Sequence, residues 1–177
     1  MGVLVTKEEF NLRSKLNELN FSTVPYEKMP AGTIIQYVLA PASQVSPRYT
    51  TTSGTPANTG YYIEIAPKFE NSHIYIEGVM ANYHNNNGYC YNRLKNATSG
   101  QWVTDNGTAN TWTYASGNDT AWYANPVQFR DVPNSTEKQT YQIWGYANGS
   151  TAYWGWSGSP ASGTRNFNNL CAFEVKQ

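Results

Sequence analysis

Charge is scarce in this sequence. Only 14% of its 177 residues are charged, and 12 Lys and Arg balance 12 Asp and Glu. A zero balance supplies no general attraction for phosphates, so nucleic acid is not an expected partner. Histidine and cysteine are scarcer still, with two of each. His73, His84, Cys90 and Cys171 do not fall in the spacing of a zinc site, and neither a metal nor a cofactor is expected. No apolar run approaches the roughly 18 residues of a membrane span. The segment Met1–Phe10 lacks the basic region and long apolar stretch of a secretory signal, so no membrane insertion is expected and synthesis is placed in the cytoplasm. Both cysteines are then expected as reduced, buried thiols, since free Cys behaves as a small hydrophobe. Cys171 alternates with Phe173 and Val175, the phase expected to face a core.

What is abundant is aromatic and neutral: 15% Phe, Trp and Tyr, with 14 Tyr and 6 Trp. Disordered chains show the reverse, high net charge and few aromatics. Composition therefore favours β-structure with a neutral, polar exterior.

Two regions differ in pattern. In residues 1–30, Thr6-Lys7-Glu8-Glu9 reads as a capping box, with Val5 and Phe10 placed as a hydrophobic staple. Leu12, Leu16 and Leu19 follow at spacings of four and three, a coiled-coil seam. The spacing predicts a helix from about Lys7 to Asn20. About two heptads do not hold an isolated helix in water, so the seam needs a cover. Either this chain's own sheet or another body, by self-association or docking, supplies it.

From residue 31 to 177 the period is two. Strands are predicted over Thr33–Leu39, Tyr61–Ala66, His73–Tyr83, Tyr89–Leu94, Thr111–Tyr114, Val127–Asp131, Gln139–Ala147, Ala152–Trp156 and Leu170–Val175. Ile63 and Ile65 oppose Tyr62 and Glu64, and Tyr141 and Ile143 oppose Gln142 and Trp144. Such alternation fits antiparallel sheets with one buried face. Asn87-Gly88, Asn106-Gly107, Gly117-Asn118 and Asn148-Gly149 are turn signals, and Asn148-Gly149 predicts a hairpin. The expected fold is an all-β, antiparallel, jelly-roll-like β-sandwich (31–177) behind a short N-terminal helical arm (1–30).

Catalytic constellations are weak. Glu64 and Glu77 could serve glycoside hydrolysis only if they faced one cleft, and both sit at outward phases. Ser53 and Ser157 precede glycines, but no G-x-S-x-G elbow surrounds them. Asp105-Asn106-Gly107 starts like a calcium loop and lacks its closing Glu. Six N-x-S/T triplets reflect an Asn- and Thr-rich composition rather than glycosylation. No enzyme is expected.

Aromatic residues carry more information. Trp102, Trp112, Tyr114, Trp122 and Tyr123 cluster in sequence, and rings in strands are usually core or cross-strand pairs. Tyr153 and Trp154 are adjacent, so one of them must point away from the core. Trp112, Trp122, Tyr153 and Trp154 are the candidate surface rings, for a neutral sugar or for a neighbouring subunit.

The order of segments from Gly32 onward adds a resemblance. Gly32-Thr-Ile-Ile-Gln36, Tyr49-Thr-Thr-Thr-Ser53 and Asn58-Thr-Gly-Tyr-Tyr-Ile-Glu-Ile-Ala-Pro67 come first. Asn71-Ser-His-Ile-Tyr-Ile76, Phe129-Arg-Asp-Val-Pro133, Thr140-Tyr-Gln-Ile-Trp144 and Leu170-Cys-Ala-Phe-Glu-Val175 follow. Together they resemble a domain of tailed-bacteriophage virion proteins, of the tail-fibre and structural type frequent in cyanophages. His73 departs from the Lys usual there, and the stretch Tyr83–Tyr123 is unusually rich in Asn, Tyr and Trp. The resemblance implies a homotrimeric virion component: a fibre, spike or capsid decoration. Its arm would dock on other virion proteins and its β-domain would be displayed, with host glycans as a possible target. A carbohydrate-binding, lectin-like module is the alternative.

Overall fold

Alternation of buried and half-exposed side chains runs almost unbroken through the long strands, and it dictates the architecture. A computed structural model describes residues 25–41, 49–84, 88–103, 110–115, 121–155 and 169–177. The chain divides into two units, Met1–Pro30 and Ala31–Gln177. In the first, a 3-10 turn spans Tyr26–Lys28. The predicted helix and its seam, Leu12, Leu16 and Leu19, lie outside the described residues.

The second unit is all-β. Its strands are β1 (Ile34–Leu39), β2 (Tyr49–Thr51), β3 (Ala57–Ile65), β4 (His73–His84), β5 (Gly88–Asn96), β6 (Trp102–Val103), β7 (Asn110–Ala115), β8 (Ala121–Asp131), β9 (Gln139–Asn148), β10 (Ala152–Trp154) and β11 (Asn169–Val175). All nine predicted strands are present. β2 and β6 were not predicted, being too short to show a period.

Two antiparallel sheets form. Sheet I has six strands in the order β1-β11-β4-β10-β2, with β8 along the other side of β4. Sheet II has five, in the order β3-β9-β5-β6, with β7 also on β5. The sheets share one core in a sandwich-like arrangement. Tyr61, Ile63, Ile65, Leu94, Tyr141 and Ile143 from sheet II meet Ile74, Ile76, Met80, Val127, Phe129, Leu170 and Trp154 from sheet I. Burying each large apolar side chain contributes roughly 1.5–3 kcal/mol. Pro126 is tolerated within β8 because, among the described residues, that strand pairs only with β4, and proline suits an edge.

Trp154 of sheet I packs directly on the backbone of sheet II. A Cβ at Gly145 would stand 2.5 Å from the Trp154 indole, so only glycine lets the ring lie on the β9 backbone. The indole N–H donates to Oδ1 of buried Asn92 at 2.6 Å. Asn82 completes the group in either amide orientation. One donates to the Cys90 sulfur at 3.0 Å, and the other donates to the Met80 carbonyl and accepts from Trp154. A second polar group ties the opposite end of the core: Tyr141 Oη and Asn96 Nδ2 both donate to Asp131 Oδ2, at 2.9 and 3.1 Å.

Two expectations are corrected. Asn148-Gly149 is a turn, with Gly149 at φ 95°, but not a hairpin. β9 is already flanked by β3 and β5, so the chain crosses to sheet I, where β10 pairs with β4 and β2. Turn chemistry sets the local bend, and free edges set the pairing. Cys171 is also in the outer phase. Leu170, Ala172 and Glu174 are the buried residues of β11, while Cys171, Phe173 and Val175 are half-exposed. The phase was hidden because a carboxylate occupies an interior position. Glu174 is fully buried and accepts from the successive amides of Lys68, at 2.8 and 2.9 Å, and Phe69, at 3.2 Å, and from the Gln36 side chain. Backbone amides and an amide side chain replace its water. Cys90 is buried as expected, and both cysteines are free.

Candidate functional site

The outer phase of sheet II gathers aromatic and cationic side chains across four strands. On β5 the alternation Tyr89, Tyr91, Arg93, Lys95 faces outward, because Cys90, Asn92 and Leu94 face the core. Register places Tyr91 opposite Tyr146, Arg93 opposite Trp144, and Lys95 opposite both Gln142 and Trp102. Tyr91 and Tyr146 stack, with ring centres 4.4 Å apart and planes within 4°. Tyr89 packs on Tyr91 and on Tyr114, at 5.7 and 4.6 Å. Trp102 meets Trp144 edge-on at 5.4 Å. The Arg93 guanidinium lies 4.1 Å over the Trp102 ring, and the Lys95 ammonium lies 4.8 Å from the Trp144 centre. Cation–π contacts of this kind are worth about 0.5–1 kcal/mol at exposed sites. Burial, then proximity to Tyr91, pushes the Tyr146 phenol up, while Arg93 opposes the shift.

The sequence-predicted rings are distributed differently. Trp154 is wholly buried under the other sheet, so it is corrected from a surface candidate to a core residue. Its neighbour Tyr153 takes the outer phase of sheet I, where its ring contacts Tyr83 at 5.1 Å. Trp122 sits opposite Tyr83 on β8, and Trp112 sits opposite Tyr91 on β7; only their backbone positions are described. Trp112 alone of the four therefore falls in the rows of the sheet II cluster. Sequence reasoning missed Tyr89, Tyr91, Arg93, Lys95, Trp144 and Tyr146 as one surface. The signal was present as the i, i+2 run from Tyr89 to Lys95, but the β5–β9 register that joins it to Trp144 and Tyr146 was not readable.

The outer phase of sheet I differs. Ile34, Tyr37 and Leu39 on edge strand β1 are 58%, 59% and 58% exposed. Beside them, Tyr75 and Phe173 stack at 5.2 Å. The Cys171 thiol, through its hydrogen bond, pushes the Tyr37 phenol up.

Glu64 and Glu77 lie on the outer faces of different sheets and do not share a cleft. Glu64 pairs with Lys138 at 3.1 Å, and Glu77 accepts from Gln128 at 3.0 Å. Among the described residues, no three His, Cys, Asp or Glu side chains converge to hold a metal, and no helix is long and apolar enough to cross a membrane. Asp105, Asp119 and Ser157 lie outside the described residues. Neither a protein-family model nor a curated protein matches this chain.

Proposed function

We propose that this chain is a non-enzymatic bacteriophage virion protein, a homotrimeric fibre, spike or capsid decoration exposed on the particle. In this reading the β-unit has jelly-roll topology and is the displayed part, and residues 1–30 dock it on other virion proteins. The observation that carries the reading is the joint at Glu174. Three segments on which the virion-domain resemblance rests meet there, through Gln36, Ala66 and Glu174. Gln36 donates to Glu174 and to the Ala66 carbonyl, and Lys68 closes the joint through its amide. The Asp131 of a fourth segment accepts from the Tyr141 of a fifth. The segments thus recur as the hydrogen-bonded joints of one fold. The apolar face at β1 supports self-association, because monomers rarely expose large apolar patches.

Immunogold labelling of intact particles tests the placement, and protein without residues 1–24 is expected to fold yet fail to join them. Absence of label, or normal incorporation of the truncated chain, defeats this reading. Light scattering tests the trimer, and a mass near 19.8 kDa defeats it.

The second reading is a lectin-like module for host glycans. The sheet II surface favours it, since clustered Tyr, Trp and Arg are the side chains that dominate recognition surfaces.

A further inference from the structure

We propose that the outer face of sheet II is a binding strip for an anionic polysaccharide whose acid groups are carboxylates, held by Arg93 and Lys95. The proposal rests on the host-glycan reading and fixes its chemistry as acidic rather than neutral. Zero net charge conceals a local arrangement. Arg93 and Lys95 stand two residues apart on one strand, in the same outward phase, with Trp102 between them. Among the described residues neither is joined to a carboxylate, whereas Lys138 at the rim is paired with Glu64 at 3.1 Å. Among the described residues of this face, the two central cations are therefore the ones with charge to offer a ligand.

Ring geometry points the same way. A neutral sugar is held chiefly by stacking on an open ring face. Here Tyr91 and Tyr146 cover one another at 4.4 Å, Arg93 covers Trp102, and Lys95 covers Trp144. The rings act as supports that hold the cations in place. A guanidinium fixed on an indole presents its fork of N–H donors with little freedom left to lose, and that fork matches a carboxylate. Tyr89 to Lys95 spans about 20 Å, with outward side chains about every 7 Å. Donors repeating along a flat strip suit a ligand that repeats along its own length.

Calorimetric titration of the full chain with polygalacturonate, dextran sulfate and uncharged dextran tests the proposal. Polygalacturonate is expected to bind, more weakly as salt is raised, and dextran is not. Arg93→Gln with Lys95→Gln is expected to weaken polygalacturonate binding on the order of tenfold or more, with the melting temperature showing that the fold persists. Should the double variant not fold, Lys95→Gln alone is expected to lose part of the binding and Arg93→Lys to keep part of it. Equal binding of dextran overturns the proposal and leaves a neutral-glycan reading standing. Equal binding of dextran sulfate overturns the carboxylate assignment. Absence of binding to all three overturns the proposal, and a broad glycan array then decides the parent reading separately. Undiminished binding by the variants places the contact elsewhere. A changed light-scattering mass in the double variant makes the strip an interface between copies, which also overturns it.

Discussion

The two outer faces of the sandwich are both rich in large side chains, yet they handle them in opposite ways. On sheet II the rings pack against one another and against Arg93 and Lys95, so Tyr89, Tyr91, Trp102, Trp144 and Tyr146 are all partly buried and only Tyr114, at 40%, is exposed among the described rings of the cluster. On sheet I the edge strand β1 leaves Ile34, Tyr37 and Leu39 nearly 60% exposed. The first face spends its rings on its own pairs and offers outward chiefly the cations those rings support. The second carries apolar area that nothing among the described residues of this unit covers. Aromatic content alone therefore does not say what a surface offers; how far the rings satisfy one another separates a face that presents charge from one that presents apolar area.

Four paired comparisons break or sharpen this contrast. The largest effect belongs to the inward phase. Trp154→Ala should cost about 3–5 kcal/mol, and the adjacent outward Tyr153→Ala about 1 kcal/mol or less, read from denaturant melts. Equal losses would mean that the two phases of β10 are wrongly separated. Next, Glu174→Ala should cost about 3 kcal/mol, because it strands the Lys68 and Phe69 amides that the carboxylate accepts from. Outward Glu77→Ala should stay within about 0.5 kcal/mol.

The third pair concerns the thiols. Burial pushes the Cys90 pKa well above its usual value, against a smaller opposing effect of the Asn82 bond. Burial also raises Tyr141, helped by Asp131. Raised folded-state values favour the protonated forms, so this stability is intact below the unfolded pKa values, 9.0 and 10.0, and is lost as pH rises above them. Each group adds a loss of about 1.4 kcal/mol per pH unit. Cys90→Ala should flatten the decline between about pH 9 and pH 10. In native protein at neutral pH, Cys171 should be alkylated before Cys90, and denatured protein should give two labels per chain without reductant.

The smallest effect on stability separates the two faces themselves. Tyr91→Ala on sheet II should lose about 0.5–1.5 kcal/mol of ring pairing. Tyr37→Ser with Leu39→Ser on sheet I should leave the melting temperature almost unchanged and reduce the assembly mass. If the sheet I pair destabilises a monomer instead, that face was never an interface.

Much of the fold was legible in the sequence because period two survives in β3, β4, β5 and β9, where Ile63, Ile74, Leu94 and Ile143 alternate with polar or aromatic neighbours. It failed where local chemistry and pairing diverge. Asn148-Gly149 specifies a bend, but β9 had no free edge on which to build a hairpin. Leu170–Val175 is apolar in both phases, so Glu174 misled: a carboxylate reads as outward unless the amides that receive it, more than a hundred residues earlier, are known. The candidate surface was half legible. The Tyr–Trp excess announced outward rings, and the pair Tyr153–Trp154 was correctly taken as split between faces, but which ring points inward depends on Gly145 in the opposite sheet.

The place of β11 has a consequence for biosynthesis. This strand is not added at a margin; it is inserted between β1 and β4, pairing Leu39 with Cys171 and Glu77 with the same residue on its other side. While a ribosome is still making the preceding segments, β1 lacks its partner strand, the Lys68 and Phe69 amides lack their acceptor, and β4 stands open on one flank from His73 to Val79. Sheet I therefore closes only after Val175 has left the exit tunnel, across separations of over a hundred residues. Pairing that remote is slow and leaves nascent edges exposed to one another. Crowded polysomes, where many copies are made side by side, are where this chain is most exposed to mispairing.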